Sequence, residues 1–136
     1  MSFVSSNWWL FVLAAVSGVG ILVPTIAKMM SGIPQVGVAE TVTLINRRDA
    51  LVLDVRTQTE FGTGHVPSAR HIPLGDLKAR LSELDKFRDR PIVVQCASGN
   101  RSQGAAKILK DSGFKEVFNL QGGIGAWVQA GMPTEK

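Results

Sequence analysis

The sequence predicts an α/β fold built on an open parallel sheet. Three observations carry this. Two apolar runs, 51–55 (LVLDV) and 91–95 (PIVVQ), have the near-continuous hydrophobicity of strands buried on both faces. Helical patterns alternate with the strand-like runs along the chain. Polar residues stand at the ends of the runs: Asp54 and Arg56 at the first, Cys96 at the second. In open α/β sheets, ligands bind beyond those carboxyl ends.

The elements follow in order. Residues 40–47 (ETVTLINR) predict a short amphipathic helix, with Val42 and Ile45 on one face and Leu44 at its border. After the 51–55 strand, Thr57 to Phe61 allow a helical turn, ended by Gly62 and Gly64. Residues 71–74 (HIPL) suggest a short strand, which Pro73 restricts to an end. Asp76 can cap a helix to about Leu84, with Leu77, Leu81 and Leu84 at helical spacing. Pro91 is acceptable at the first position of the 91–95 strand. Residues 102–112 predict a helix with Ala105, Ala106, Ile108 and Leu109 inward and Lys107, Lys110 and Asp111 outward, and Gly113 suits its end. Residues 116–120 predict a further strand and 124–130 a last helix, with Trp127 in the core.

A chain of 136 residues allows one domain of ordinary size. Its formal charge of +4 comes from basic residues scattered singly or in pairs. No basic cluster points to nucleic acid. One cysteine excludes an internal disulfide, and a free thiol suits a reducing compartment.

The first 27 residues carry no charged side chain. Residues 8–27 (WWLFVLAAVSGVGILVPTIA) would span about 30 Å as a helix, the thickness of a bilayer core. Trp8 and Trp9 suit the headgroup level, and Lys28 closes the run. A cleaved signal peptide fits less well, because the preceding MSFVSSN has no Lys or Arg. The expectation is a tail and single transmembrane helix over 1–30, a linker over 31–38 (SGIPQVGV) and a folded domain over 39–136. Lys28, Arg47 and Arg48 lie on the C-terminal side of the span, so the positive-inside rule places the domain in the cytoplasm.

The candidate site is the run 95–104, QCASGNRSQG. Cys96 ends a strand and Ser102 begins a helix. The loop between them, Ala97, Ser98, Gly99, Asn100 and Arg101, can turn backbone N–H groups inward as an anion nest. The following helix adds its positive end, and Arg101 a planar fork of donors. A thiol in such a field ionises readily, and a thiolate is a ready nucleophile. Arg56 can face the same anion or neutralise Asp54. Asp54 reads as structural rather than as a general base. His65 lies in a Gly-rich turn and His71 at a strand start, which suits hydrogen-bonded packing. Two histidines and one cysteine without close spacing make no metal site. Gly122-Gly123 lacks the G-x-G-x-x-G layout of a dinucleotide site. No cofactor is expected.

Three stretches give the chain a family likeness: LVLDVRTQTEFGTGHVPSARHIPL (51–74), IVVQCASGNRSQGAAKILKDSGF (92–114) and VFNLQGGIGAWVQAGMP (117–133). Their C-x-x-G-x-R-S loop, D-V-R, E-F-x-x-G-H-V-P and G-G-I-x-A-W segments resemble, in family order, those of the single-domain rhodaneses. The resemblance implies a small α/β domain with a central parallel sheet. It implies a sulfurtransferase in which Cys96 takes the outer sulfur of a donor such as thiosulfate, holds it as a persulfide and passes it to cyanide or a thiol. Arg101 and Arg56 match positions near the bound anion, and Asp54 a structural position. Ser68 stands where the family commonly has glycine. Fold relatives that act on phosphate or arsenate carry one more residue than the six from Cys96 through Arg101. A phosphatase or arsenate reductase is therefore disfavoured. A persulfide relay or partner-binding module with little activity on small donors is the main alternative to an enzyme. The expected partners are a sulfur donor, a thiol acceptor and the membrane.

Overall fold

The computed structural model describes residues 5–18 and 32–136. The chain divides into two compact units, Met1–Gly32 and Ile33–Lys136. In the first, residues 8–18 are helical. The remainder of the expected span, 19–27, lies outside the described residues. Among the described residues, no helix is long and apolar enough to cross a membrane.

The second unit holds a five-stranded, wholly parallel sheet. Its elements are β1 (Gln35–Val36), α1 (Val38–Arg48), β2 (Leu51–Asp54), α2 (Gln58–Thr63), β3 (Arg70–His71), two 3₁₀ stretches (Leu74–Asp76 and Lys78–Phe87), β4 (Pro91–Gln95), α3 (Asn100–Asp111), β5 (Glu116–Leu120) and α4 (Gly123–Gln129). The strand order is β1-β5-β4-β2-β3. This is the open parallel sheet that the alternating pattern predicts.

The two central strands are buried throughout or nearly so, as their unbroken apolar character requires. One face of the sheet carries Leu53, Val55, Ile72, Ile92, Val94 and Cys96, in a core with Ala105, Ala106 and Leu109 of α3. On the other, Val52 packs with Val66 and Trp127 over Val42 and Ile45 of α1. Val36, Val93 and Leu120 form a smaller cluster. β2 and β4 are in register from Leu51↔Ile92 to Asp54↔Gln95. That register sets Asp54 at the end of β2, and Arg56 and Cys96 just beyond neighbouring strand ends.

Three local expectations change. The 31–38 run contains β1: Gln35 pairs with Asn119 and Val36 with Leu120, while Ile33 and Val36 are buried. Its Gly and Pro read as linker, yet Pro is tolerated on an edge strand, which is where β1 lies. The compact unit accordingly starts at Ile33, upstream of residue 39. Asp76 caps no helix; it ends the first 3₁₀ stretch, and Arg80 interrupts the second with non-helical angles. The apolar residues Leu74, Leu77, Leu81, Leu84 and Phe87 recur mostly at intervals of three. A 3₁₀ helix, with three residues per turn, sets such residues on one side. Finally, α3 starts at Asn100, ahead of the expected 102.

Candidate active site

Cys96 follows the last residue of β4 and is 1% exposed. Gly99, with φ of 101°, turns the chain into α3 as its N-cap. Only a residue free of Cβ strain adopts that angle readily. The turn aims the Gly99 N–H at the sulfur, 3.0 Å from Sγ. Ser102, in the first turn of α3 and fully buried, places its Oγ 3.4 Å from Sγ. Burial pushes the Cys96 thiol up. The Ser102 hydroxyl and the backbone N–H groups of Ser102, Ser98 and Gly99 outweigh it, so the thiol lies below its ordinary value. Backbone N–H groups of the tight strand-to-helix loop thus face the sulfur. Ala97 is half-buried, while Ser98 and Asn100 are exposed.

The guanidinium of Arg101 is not left to the sulfur. It makes a two-pronged bond to Glu60 of α2, Nη1–Oε1 at 2.7 Å and Nη2–Oε2 at 2.8 Å. Glu60 is itself fixed by a capping box with Thr57 at the start of α2. Arg101 still lies close enough to feel the thiolate charge, after the larger pull of Glu60. The sequence carried a signal for Glu60, since T-x-x-E is a capping-box signature. Nothing local linked it to Arg101.

The pairing has an acid signature. The bond from Arg101 holds the Glu60 carboxyl at about 2, against an ordinary 4.5. A depressed carboxylate adds stability above its unfolded value and loses it as pH falls through its folded value. The Glu60→Gln variant should therefore lose thermal stability less steeply than the parent between pH 4.5 and 2. Parallel melting curves across that window would contradict the pairing.

Asp54 and Arg56 form a buried pair. The Arg56 side chain is 5% exposed and that of Asp54 0%. Arg56 Nε lies 3.1 Å from both carboxylate oxygens, and Nη2 donates to Oδ2 and to Gly64 O, each at 2.8 Å. The Arg56 N–H also donates to Oδ1 at 3.0 Å. Of the two roles open to Arg56, the structure displays ion pairing. Leaving either charge alone there would cost about 3–5 kcal/mol. The Asp54 carboxylate is taken up by Arg56, through both the side chain and the backbone N–H.

Both histidines pack as expected. His65 stacks on Phe61 at 3.7 Å and bonds Phe61 O through Nδ1. His71 stacks on Phe61 at 4.4 Å and bonds Arg56 O through Nε2. Trp127 is buried and donates to Pro133 O at 2.8 Å. Among the described residues, no cluster of His, Cys, Asp and Glu could hold a metal. Ser68, with φ of 63°, occupies the left-handed region that a glycine would favour there.

Sequence reasoning missed two supports. Gly123 lets α4 approach the loop so closely that Ile124 N–H donates to Cys96 O at 2.8 Å. Asn119 of β5, 1% exposed, bonds both Ser102 Oγ and Gly99 O. In sequence the glycine pair reads as part of a family motif with no stated contact, and Asn119 as one polar residue in a strand.

Comparisons with known proteins identify the family. Residues 38–130 match the model of the rhodanese-like domain. The chain is 40% identical over 90 residues to a sulfurtransferase of Allochromatium vinosum, covering 66% of this chain and 82% of that protein. It is 32% identical over 95 residues to the thiosulfate sulfurtransferase GlpE of Pseudoalteromonas translucida, covering 70% and 89%. The crystal structure of a rhodanese-related protein from Thermoplasma volcanium superposes with a TM-score of 0.68 at 30% identity, covering 75% of this chain and 97% of that one. The match over most of the domain, with Cys96 at the carboxyl end of a central strand, closes the assignment: the chain belongs to the rhodanese family of sulfurtransferases.

Proposed function

We propose that this protein moves a sulfane sulfur from a donor such as thiosulfate to a nucleophilic acceptor, a thiol or cyanide, through a persulfide on Cys96. The observation that carries the reading is the Gly99 N–H at 3.0 Å from a buried Sγ, with the Ser102 hydroxyl beside it. These groups favour the thiolate. The thiolate attacks the outer sulfur of thiosulfate. An Sγ–S bond forms, the S–S bond of the donor breaks, and sulfite leaves with its electron pair. The acceptor then attacks the outer sulfur of the persulfide, and the pair of the Sγ–S bond returns to Cys96. Loop N–H groups of Ala97, Ser98, Gly99, Asn100 and Ser102, with Arg101, surround the donor anion in this reading. Arg56 supports them from below by fixing Asp54 and the 64 turn. No metal or cofactor takes part in either step. Two half-reactions with one covalent intermediate require ping-pong kinetics.

The test is direct. Thiosulfate should add one sulfur atom to the protein by mass spectrometry, and cyanide should remove it and yield thiocyanate. An unchanged mass after incubation with thiosulfate overturns the reading.

The same proposal includes attachment to a membrane through residues 8–27, with the catalytic domain on the cytoplasmic side. Trp8, Phe11, Leu13 and Val16 support it, each more than half exposed on an uncharged helical segment. The full chain should stay with membranes through an alkaline carbonate wash, and a C-terminal reporter should read cytoplasmic. Release by carbonate would remove this part of the proposal.

A further inference from the structure

Asn119 has a part in the site that sulfur transfer as described above does not use. It lies near the end of β5, and its amide orientation is fixed by its neighbours. Gly99 O can only accept, so the atom 3.1 Å from it is Nδ2. The same nitrogen faces Gln35 Oε1 and Gln103 Oε1, each at 3.0 Å. Asn119 Oδ1 then faces Ser102 Oγ. A carbonyl oxygen has no proton, so the Ser102 hydroxyl must donate to it.

That hydroxyl has one proton. While Asn119 holds it, Ser102 Oγ offers Cys96 Sγ, 3.4 Å away, only lone pairs. Those suit a thiol S–H. A thiolate has nothing to donate and needs the proton instead. Two acceptors therefore compete for one hydrogen.

We propose that Asn119 is a positioning residue for Cys96: its Oδ1 keeps the Ser102 proton while Sγ is a thiol or carries a second sulfur, and yields it when Sγ becomes a thiolate. The persulfide half of this rests on the sulfurtransferase reading. In the persulfide, Sγ is two-coordinate and a weak acceptor, so the proton sits with Asn119. On discharge the acceptor attacks the outer sulfur, the Sγ–S bond breaks, and its electron pair goes to Sγ. Ser102 then turns its proton to that sulfur, and Asn119 Oδ1 is left buried without a donor. Such a loss is unfavourable. Ser102 thus promotes sulfur release and Asn119 restrains it. The pair sets how long the sulfur is held.

The experiment is a double-mutant cycle on the full chain, read in two ways. The first is the pH profile of Cys96 alkylation by iodoacetamide. The second is the rate at which cyanide discharges protein preloaded by thiosulfate. Asn119→Leu should move the alkylation profile to lower pH and speed discharge about fivefold, the order expected when one ordinary hydrogen bond stops competing. Ser102→Ala should move the profile to higher pH and slow discharge. In the Ser102→Ala background, Asn119→Leu should change neither. Asn119→Ala, which removes the same carbonyl with less bulk, should behave like Asn119→Leu. An equal effect of the Asn119 change in both backgrounds overturns the proposal, since Asn119 would then act through the loop and not through the hydroxyl. So does a shift to higher pH in the single variant. Alkylation needs no sulfur donor. A protein that takes up no sulfur therefore overturns the sulfurtransferase reading, and the alkylation cycle still decides the role of Asn119.

Discussion

Cys96→Ser should abolish thiocyanate formation from thiosulfate and cyanide while leaving the fold intact. Both halves follow from the site. The replacement is close in size, and Gly99 N–H and Ser102 Oγ remain to bond the new hydroxyl. Melting should shift by an amount equivalent to less than about 3 kcal/mol, the cost of burying a hydroxyl with no partner, because these two groups bond it. Chemistry does not survive the swap. An alcohol is not ionised by donors that suffice for a thiol, and no persulfide analogue forms on oxygen. The transfer needs a covalent carrier, so a residual anion cradle cannot replace it. A fall of at least about a thousandfold, equivalent to ~4 kcal/mol, is expected. The parent should also show loading that rises with pH with its midpoint below the ordinary thiol value of 9.0, because the loop donors lower Cys96. Thiocyanate release by Cys96→Ser at the parental rate would remove Cys96 from the mechanism.

The parts of this site that were legible in the sequence are those written in consecutive residues. The runs LVLDV and PIVVQ announce buried strands through composition alone, and C-A-S-G-N-R-S announces a strand-to-helix turn with a nucleophile at its base. A parallel sheet then requires the two strand ends to lie on one side. What stayed hidden depends on contacts between distant residues. Glu60 meets Arg101 only because α2 and the first turn of α3 face each other across the strand ends. Asn119 meets Ser102 only in the folded sheet, and the pairing of Gln35 with Asn119 fixes where β1 lies. The expectation that Arg101 polarises the thiol gave the guanidinium the nearest partner in sequence. The structure gives it the nearest partner in space, and leaves the thiol mainly to Ser102 and the loop amides. The edge strand β1 was hidden for a different reason. Two strand residues among Gly, Pro and Ser carry too little periodicity to outweigh their neighbours.

Gly123→Ala should damage stability and activity together, and the cause is backbone contact. A Cβ at Gly123 would lie 2.2 Å from Cys96 O, 2.8 Å from Ala97 C and 2.9 Å from Ala97 O. None of these is the far end of a flexible side chain that could swing aside. Gly123 also has φ of 58°, which an alanine adopts with strain. Either α4 or the 96–97 peptide must move. If α4 withdraws, the Ile124 N–H to Cys96 O bond at 2.8 Å is lost. If the loop moves, the donors around Sγ lose their aim. Strain and a broken buried bond together suggest destabilisation of about 3 kcal/mol. Activity should fall at least about tenfold and the thiol should titrate higher, because a misdirected amide no longer favours the thiolate. Gly125→Ala is the control. Its Cβ would meet Ala97 O at 3.6 Å, an ordinary contact, at a backbone angle open to any residue. That variant should stay within about 0.5 kcal/mol of the parent and keep its thiol titration. Equal behaviour of the two variants would mean that α4 does not brace the cysteine loop. The G-G pair would then be a helix start and nothing more.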